Sequence, residues 1–266
     1  MARNYMFKEI ANTDELTELR NEWLSTLTSP QDGMWESFRN SGKEWGIVQD
    51  NELIGYSSIG ENNQLIQFYI SPKHLGKGES IFKEFIEKLS IETGIVGTNN
   101  PCYLSIALNF AKEFNVNTYL FRNNYPVYIE EKEGELKECQ NEDIEKIVHF
   151  CHYSMGAPKE WLAGYIKDLT EKKEIFYLEH GDEIIGTCEV RKSTTAGDFA
   201  DIGMVVSPDY RRKGFGTYLL NEAKKIAIEW KKTPICSCEK DNIGSIKSIH
   251  NSGFVSMYQL LLISFN

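Results

Sequence analysis

The feature that most constrains this chain of 266 residues is an internal repeat. Three pairs of short segments match in the same order along the two halves: 7–14 with 136–143, 52–55 with 183–186, and 69–72 with 205–208. In the first pair, a strand-like stretch meets an Asn that is typical of a helix N-cap. Because the three matches are in register, the sequence predicts two copies of one structural plan.

A polar and charged segment at 130–135 separates the copies, as linkers do. We therefore expect two domains, at 1–130 and 136–266. In the second domain the patterns predict strands at 136–139, 175–179, 183–191, 199–206, 235–238 and 255–265, and helices at 141–155, 158–169, 215–230 and 243–251. The last strand is expected to close that domain. A mixed α/β fold with a central sheet follows from this alternation.

The formal net charge of -10 argues against a nucleic-acid partner, because such proteins need Lys and Arg to neutralise phosphates. It is compatible with a cationic substrate or with a plain acidic surface. No apolar run is long enough to span a membrane, and the first residues are charged rather than signal-like. The six cysteines form no C-x-x-C pair. We expect a cytoplasmic protein with reduced cysteines, whose oligomeric state is open.

The most informative segment is 205–217, where an apolar strand leads through a basic turn to a helix. Gly214 and Gly216 let the backbone approach a ligand closely. The first amides of a helix have no intrahelical acceptor, and they carry partial positive charge. Three consecutive cations add to that charge: Arg211, Arg212 and Lys213. A tight turn with a solvated basic face is the alternative, but the order of strand, cations and helix favours a phosphate site.

Two motifs here resemble those of the GNAT superfamily of N-acetyltransferases. Arg211-x-x-Gly214-x-Gly216 resembles the family's Arg/Gln-x-x-Gly-x-Gly/Ala motif, and Asn242-x-x-Ser245 followed by Gly253-Phe254 resembles its Asn-x-x-Ala and Gly-Phe segment. The resemblance implies two tandem GNAT-like domains, each a mixed, mostly antiparallel sheet flanked by helices. It also implies acetyl-CoA as co-substrate and no metal.

The resemblance assigns the parts of acetyl-CoA to positions in the second copy. The pyrophosphate is expected on the amides from Arg212 to Thr217, and the pantetheine arm beside the strand before the loop and near Asn242. The cofactor-binding residues so implied are Met204, Val205, Val206, Arg211, Arg212, Lys213, Gly214, Phe215, Gly216, Thr217 and Asn242.

The first copy keeps two of these features and loses the rest. Gly76 and Gly78 are present, but the Arg pair is missing and the loop after Ser71 is shorter. Glu79 stands where the second copy has Thr217, which places a carboxylate at the expected anion position. We expect this copy to lack a competent CoA loop and to wall off a substrate cleft by packing against the other domain.

Acylation of an amine needs a proton acceptor, and Asp201 is our candidate because it resembles the position of a catalytic Glu in some family members. Desolvation among apolar neighbours would suit a base, whereas a solvent-facing Asp201 is the alternative. Glu189, on the neighbouring strand, is a weaker candidate for the base, and we expect it to face solvent. The backbone amide of Met204 or Val205 is the candidate oxyanion donor.

The general acid is not decided by the sequence. Ile249 and Ser237 stand where family members have a Tyr acid and a Glu base. His250, Tyr258, another Tyr, and departure of the CoA thiolate without a dedicated acid all remain open. Trp161 and Tyr165, one helical turn apart, suit either a cation-binding wall or ordinary core packing.

The function expected is therefore transfer of an acetyl or other short acyl group from acyl-CoA to a primary amine. The acidic balance favours a small cationic acceptor, while a peptide N-terminus or a lysine stays open. The alternative is a non-catalytic acyl-CoA-binding or regulatory module.

Overall fold

The computed structural model describes residues 5–181 and 183–265. By its internal contacts the chain forms two compact units, one of residues up to Tyr119 together with those from Tyr258, the other Leu120–Met257. The domain ranges 1–130 and 136–266 follow the repeat rather than these contacts, and they stay a prediction. Within the described residues, no helix is long and apolar enough to cross a membrane.

Twelve strands and eight helices are found among the described residues. The first half contains β1 Met6–Glu9, α1 Thr17–Thr26, α2 Gly33–Ser41, β2 Lys43–Gln49, β3 Glu52–Ile59, β4 Leu65–Ile70, α3 Gly78–Lys88, β5 Thr93–Gly97, α4 Pro101–Asn109 and β6 Glu113–Asn123. The second half contains β7 Glu135–Glu138, α5 Ile144–Met155, α6 Lys159–Glu171, β8 Ile175–His180, β9 Glu183–Lys192, β10 Phe199–Val206, α7 Phe215–Glu229, β11 Thr233–Glu239, α8 Ile243–Asn251 and β12 Phe254–Ser264. Every element predicted in the second copy is confirmed to within a few residues at its ends.

The first unit has a sheet in the order β1-β2-β3-β4-β5-β12. Its core is rich in aromatic side chains such as Phe68 and Phe82, whose rings meet edge to face at 4.8 Å. Residues 260–264 of β12 pair antiparallel with β5. We predicted that this strand closes the second domain, but only its residues up to Met257 belong to the second unit. Its C-terminal part pairs with β5 because Leu261, Ile263 and Phe265 are buried in the core of the first unit.

The second unit has the order β6-β11-β10-β9-β8-β7. Strand β10 is antiparallel to β9 and parallel to β11. Side chains alternate along β10, so Val205 packs with the cluster beneath α5 and α6, whereas Met204 approaches the start of α7. The loop that follows β10 thus opens at one end of this sheet, between helices on its two faces.

Candidate functional site

A cleft of about 920 Å³ lies in the second unit, at the end of β10. Nine of the predicted cofactor-binding residues line it: Met204, Val205, Val206, Arg211, Arg212, Gly214, Gly216, Thr217 and Asn242. Lys213 and Phe215 are not among the lining residues. The Lys213 ammonium lies 5.0 Å from the centre of the Tyr210 ring, and the Phe215 ring packs edge-on against the same Tyr at 5.6 Å.

Strand β10 parts from β11 at the mouth of this cleft. Their parallel pairing covers only Phe199 to Asp201, opposite Thr233 to Ile235. Pairing with β9, in contrast, continues to Val206. Backbone groups on one edge of residues 204–206 therefore face the cleft rather than a neighbouring strand. An extended ligand can add to such an edge by main-chain hydrogen bonds.

The loop after β10 contains two residues in the left-handed region, Arg212 with φ 63° and Gly214 with φ 87°. Such residues turn successive backbone N–H groups toward one concave surface, which suits an anion. The first bond of α7 runs from the Tyr218 amide to the Gly214 carbonyl oxygen. The amides of residues 215–217 thus lack an intrahelical acceptor and add the positive end of the helix dipole.

The two arginines of the loop have different surroundings. The Arg211 guanidinium donates from Nη2 to the carbonyl oxygen of Ser154 at 2.5 Å and from Nε to that of Val206 at 3.3 Å. Within the described part of the chain, Arg212 makes no ion pair. Arg211 therefore holds the cleft together, whereas Arg212 is available to an anionic ligand.

The start of α8 forms another wall of the cleft. Asn242 is its N-cap, and Oδ1 accepts from the Ser245 amide at 3.1 Å. Gly216 of α7 approaches α8 closely, since a Cβ there would lie 2.8 Å from Ser248 Oγ and 3.4 Å from Met204 Cε. Glycine is needed at this position because the two helices and β10 converge on it.

Sequence reasoning missed seven lining residues: Ser154, Met155, Gly244, Ser245, Lys247, Ser248 and Asn251. Five of these lie on α8 at helical spacing, a polar pattern that could have indicated a ligand-facing side. Ser154 had no such signal. Its Oγ is buried without a hydrogen-bond partner among the described residues, which leaves it free for a ligand.

Asp201 is not among the lining residues, and it does not face solvent. Its side chain is 3% exposed and pairs with the guanidinium of Arg191. Glu189, which was expected in solvent, is half-buried and accepts a hydrogen bond from the Tyr165 hydroxyl. Burial, followed by the charge of Glu189, raises the pKa of Tyr165 well above its usual range. That phenol therefore stays a neutral donor.

The open alternatives for an acid lie elsewhere. His250 Nδ1 is 3.1 Å from the Phe254 carbonyl oxygen, and its ring packs edge-on against Phe121. Tyr258 belongs to the first unit, where its hydroxyl donates to the Thr28 carbonyl oxygen at 3.3 Å. Neither lines the cleft. Among the described residues, no group of three or more His, Cys, Asp or Glu is arranged to hold a metal ion.

The corresponding loop of the first unit is built differently. Residues Pro72–Lys77 form a 3₁₀ helix that leads directly into α3. No described residue between Ser71 and Glu79 has a positive φ. The Glu79 carboxylate accepts from Asn109 Nδ2 at 2.8 Å at the start of that helix.

An α/β unit whose sheet parts beside a glycine-containing anion loop has the architecture of an acyltransferase domain of the GNAT fold. The Acetyltransferase (GNAT) domain model matches residues 12–124, and the Acetyltransferase (GNAT) family model matches residues 135–254. The chain belongs to the GNAT family of acetyltransferases, with two domains in tandem.

Solved structures share this fold. A GNAT-family acetyltransferase from Colwellia psychrerythraea is 26% identical with a TM-score of 0.94, over 98% of this chain and 100% of that chain. A GCN5-related N-acetyltransferase from Sphaerobacter thermophilus is 14% identical with a TM-score of 0.69, over 98% and 96%. A tandem GNAT protein from the clavulanic acid biosynthesis pathway is 15% identical with a TM-score of 0.65, over 99% of both chains. No curated protein matches the chain by sequence.

Proposed function

We propose that the second unit binds acetyl-CoA or a short acyl-CoA and transfers the acyl group to a primary amine. The observation that carries this proposal is the parting of β10 from β11 beside a loop with two left-handed residues. A strand edge that is free only at residues 204–206, with an anion site at its end, fits an extended pantetheine arm joined to a pyrophosphate.

The residues present fit this co-substrate. The amides of Arg212 to Thr217 would hold the pyrophosphate, and the backbone of Met204 to Val206 would pair with the pantetheine arm. Asn242, with Oδ1 occupied by its own helix cap, would contact that arm through Nδ2. The bound thioester supplies an activated acyl carbon. The Met204 or Val205 amide is the proposed oxyanion donor.

We expect one acyl-CoA for each chain. The loop of the first unit has no described left-handed residue, so it lacks the turn that supports anion binding in the second unit. It also has the Glu79 carboxylate at the start of its helix, where the second unit has Thr217. Titration calorimetry with acetyl-CoA tests this expectation. A stoichiometry near two would contradict it.

The acceptor that we favour is a small cationic amine in the cytoplasm. A net charge of -10 attracts cationic acceptor molecules and repels anionic ones. All six cysteines are free, which supports a reducing compartment.

Incubation with acetyl-CoA and a panel of amines tests the activity. The panel contains a polyamine, an aminoglycoside and a peptide with a free N-terminus, and CoA thiol release is followed alongside acetylated product. We expect acetylation of at least one cationic amine. Confirmed binding of acetyl-CoA without turnover on any of them would contradict the proposal.

One observation favours a binding module instead. None of the described residues that line the cleft is a carboxylate, a His or a Tyr. A protein that binds acetyl-CoA tightly but releases thiol no faster than buffer does would fit that second function.

A further inference from the structure

Four polar side chains of the second unit form one network on the face of β9 and β10 that α6 covers. Glu189 and Arg191 of β9 lie opposite Gly203 and Asp201 of β10. Arg191 donates to Asp201 and, at 3.1 Å, to the Tyr165 hydroxyl, and its Nε is 3.6 Å from Glu189 Oε2. Tyr165 in turn donates to that same Oε2.

The two carboxylates of this network differ in access. The side chain of Asp201 is 3% exposed, whereas that of Glu189 is 21% exposed. Asp201 also has the guanidinium of Arg191 as its direct partner. In Glu189 both described contacts fall on Oε2. Within the described residues, Oε1 accepts no hydrogen bond.

Oε1 of Glu189 lies beside the backbone of Gly203. A Cβ at Gly203 would be only 2.9 Å from that oxygen. The missing side chain therefore lets the Glu189 carboxylate lie directly against β10. Gly203 directly precedes Met204, the first β10 residue that lines the cleft.

The proposed direction of acyl-CoA brings its thioester to this part of β10, beside the Glu189 carboxylate. The anion loop follows the C-terminal end of β10, so an arm that starts there runs back past Val206 and Val205. At about 3.3 Å per residue it reaches Met204 and Gly203 after about 10 Å. Asp201 is two residues further along the strand and faces Arg191.

We propose that Glu189 is the proton acceptor of the reaction and that Asp201 is a positioning residue that holds Arg191; this assignment rests on the function proposed above. Glu189 Oε1 takes one proton from the acceptor ammonium. The freed nitrogen lone pair forms the C–N bond to the thioester carbon, while the C–S bond breaks and its electron pair leaves with sulfur. A second proton of the same nitrogen passes to the thiolate, and Glu189 returns its proton to water.

An aromatic pair stands beside the carboxylate. The rings of Trp161 and Tyr165 stack at 4.9 Å and 14°, and Trp161 is 48% exposed. An exposed indole stacked on the tyrosine that binds this carboxylate suits an approaching ammonium group. The stack also gives a way to observe the amine without turnover, because indole fluorescence responds to a nearby cation.

Four variants test the assignment: E189Q, D201N, G203A and, as a matched control, E160Q. Glu160 is exposed on α6 and has no described contact with the network. E160Q therefore removes the same charge as E189Q does but leaves the network intact. For each variant, calorimetry gives the affinity for acetyl-CoA and, separately, for spermidine alone. A further variant, W161F, identifies the part of the fluorescence signal that comes from Trp161. Steady-state kinetics with the best amine of the panel give kcat and KM.

We expect E189Q to lose at least 100-fold in kcat and about 10-fold in spermidine affinity, with acetyl-CoA affinity unchanged. G203A, which pushes Oε1 from its place without changing charge, should lose at least 10-fold in kcat. E160Q should stay within twofold throughout. D201N should lower kcat less than E189Q does and lower the thermal midpoint more, as a positioning role requires.

Several results would overturn the assignment. Loss of kcat in D201N with E189Q within threefold of wild type would make Asp201 the base. If E189Q does not fold, a folded G203A variant with unchanged kcat would also overturn the assignment. If the wild type binds acetyl-CoA but acetylates no amine, the proposed function fails, and equal spermidine affinity in wild type and E189Q then refutes the role of Glu189 separately.

Discussion

The guanidinium of Arg211 donates to the backbone carbonyl oxygen of Ser154 at 2.5 Å, which joins the loop after β10 to the end of α5. Ser154 and Arg211 both line the cleft. The neighbouring Arg212 has no described ion pair and a left-handed φ of 63°. The two adjacent arginines thus have separate roles. Arg211 joins two walls of the cleft, and Arg212 presents positive charge to a ligand.

Replacement of each arginine by Gln separates these tasks. R211Q should lower acetyl-CoA affinity about tenfold with little change in its dependence on salt, because the lost bonds are to backbone carbonyls. R212Q should lower affinity about fivefold at low salt and flatten the salt dependence, because a solvent-exposed charge is screened. R211K should not restore affinity, since an ammonium cannot reproduce the planar fork. Calorimetry at several salt concentrations measures all three, and a flattened salt dependence in R211Q would contradict this division.

Gly214 in the anion loop of the second unit and Gly76 in the corresponding loop of the first unit allow a matched comparison. G214A forces a Cβ into a backbone with φ 87°, which costs about 1–2 kcal/mol and distorts the anion loop. We expect acetyl-CoA affinity to fall at least tenfold. Gly76 is its counterpart in the first unit, and a Cβ there meets nothing within 4 Å. G76A should leave acetyl-CoA affinity unchanged, and a loss in this control would show that the first unit takes part in binding.

The buried pair of Arg191 and Asp201 makes a stability prediction. D201N removes the carboxylate charge and leaves Arg191 largely buried, so the free energy of unfolding should fall by about 3 kcal/mol. The double variant R191M/D201L replaces both ions by apolar groups and should recover most of that loss. Its kcat should stay low, because Arg191 no longer supports Tyr165 and Glu189. Denaturant unfolding and kinetics on the same samples test both statements, and full activity in the double variant would contradict the second.

The cysteines should be inert in the folded protein. Burial raises the pKa of Cys151 to about 12 and raises the pKa of Cys139, Cys188 and Cys238 as well. At pH 8 a thiol with a pKa of about 12 is thiolate in only about one molecule in ten thousand, so alkylation is slow. Cys102 is the half-buried exception. Iodoacetamide followed by mass spectrometry should label Cys102 first; prompt labelling of Cys151 or Cys188 would show that the second unit opens in solution.

Much of the second unit could be predicted because its signals are local. Helix α8 and strand β10 both have their predicted bounds, 243–251 and 199–206. The loop from Arg211 to Gly216 was recognisable because strand, cations, glycines and helix follow one another in the chain. Ser154 carried no such signal, since its place in the cleft depends on a carbonyl contact 57 residues away in sequence.

The repeat, the order of helices and strands, and the loop with its glycines could be predicted from the chain, because short-range periodicity and backbone geometry act among neighbouring residues. The structure was needed to show that the end of the last strand pairs in the first unit, that Arg211 binds Ser154, and that Arg191 pairs with the carboxylate of Asp201. Those outcomes depend on which buried groups meet across the sheet, and the local sequence does not specify which distant residues pair with one another.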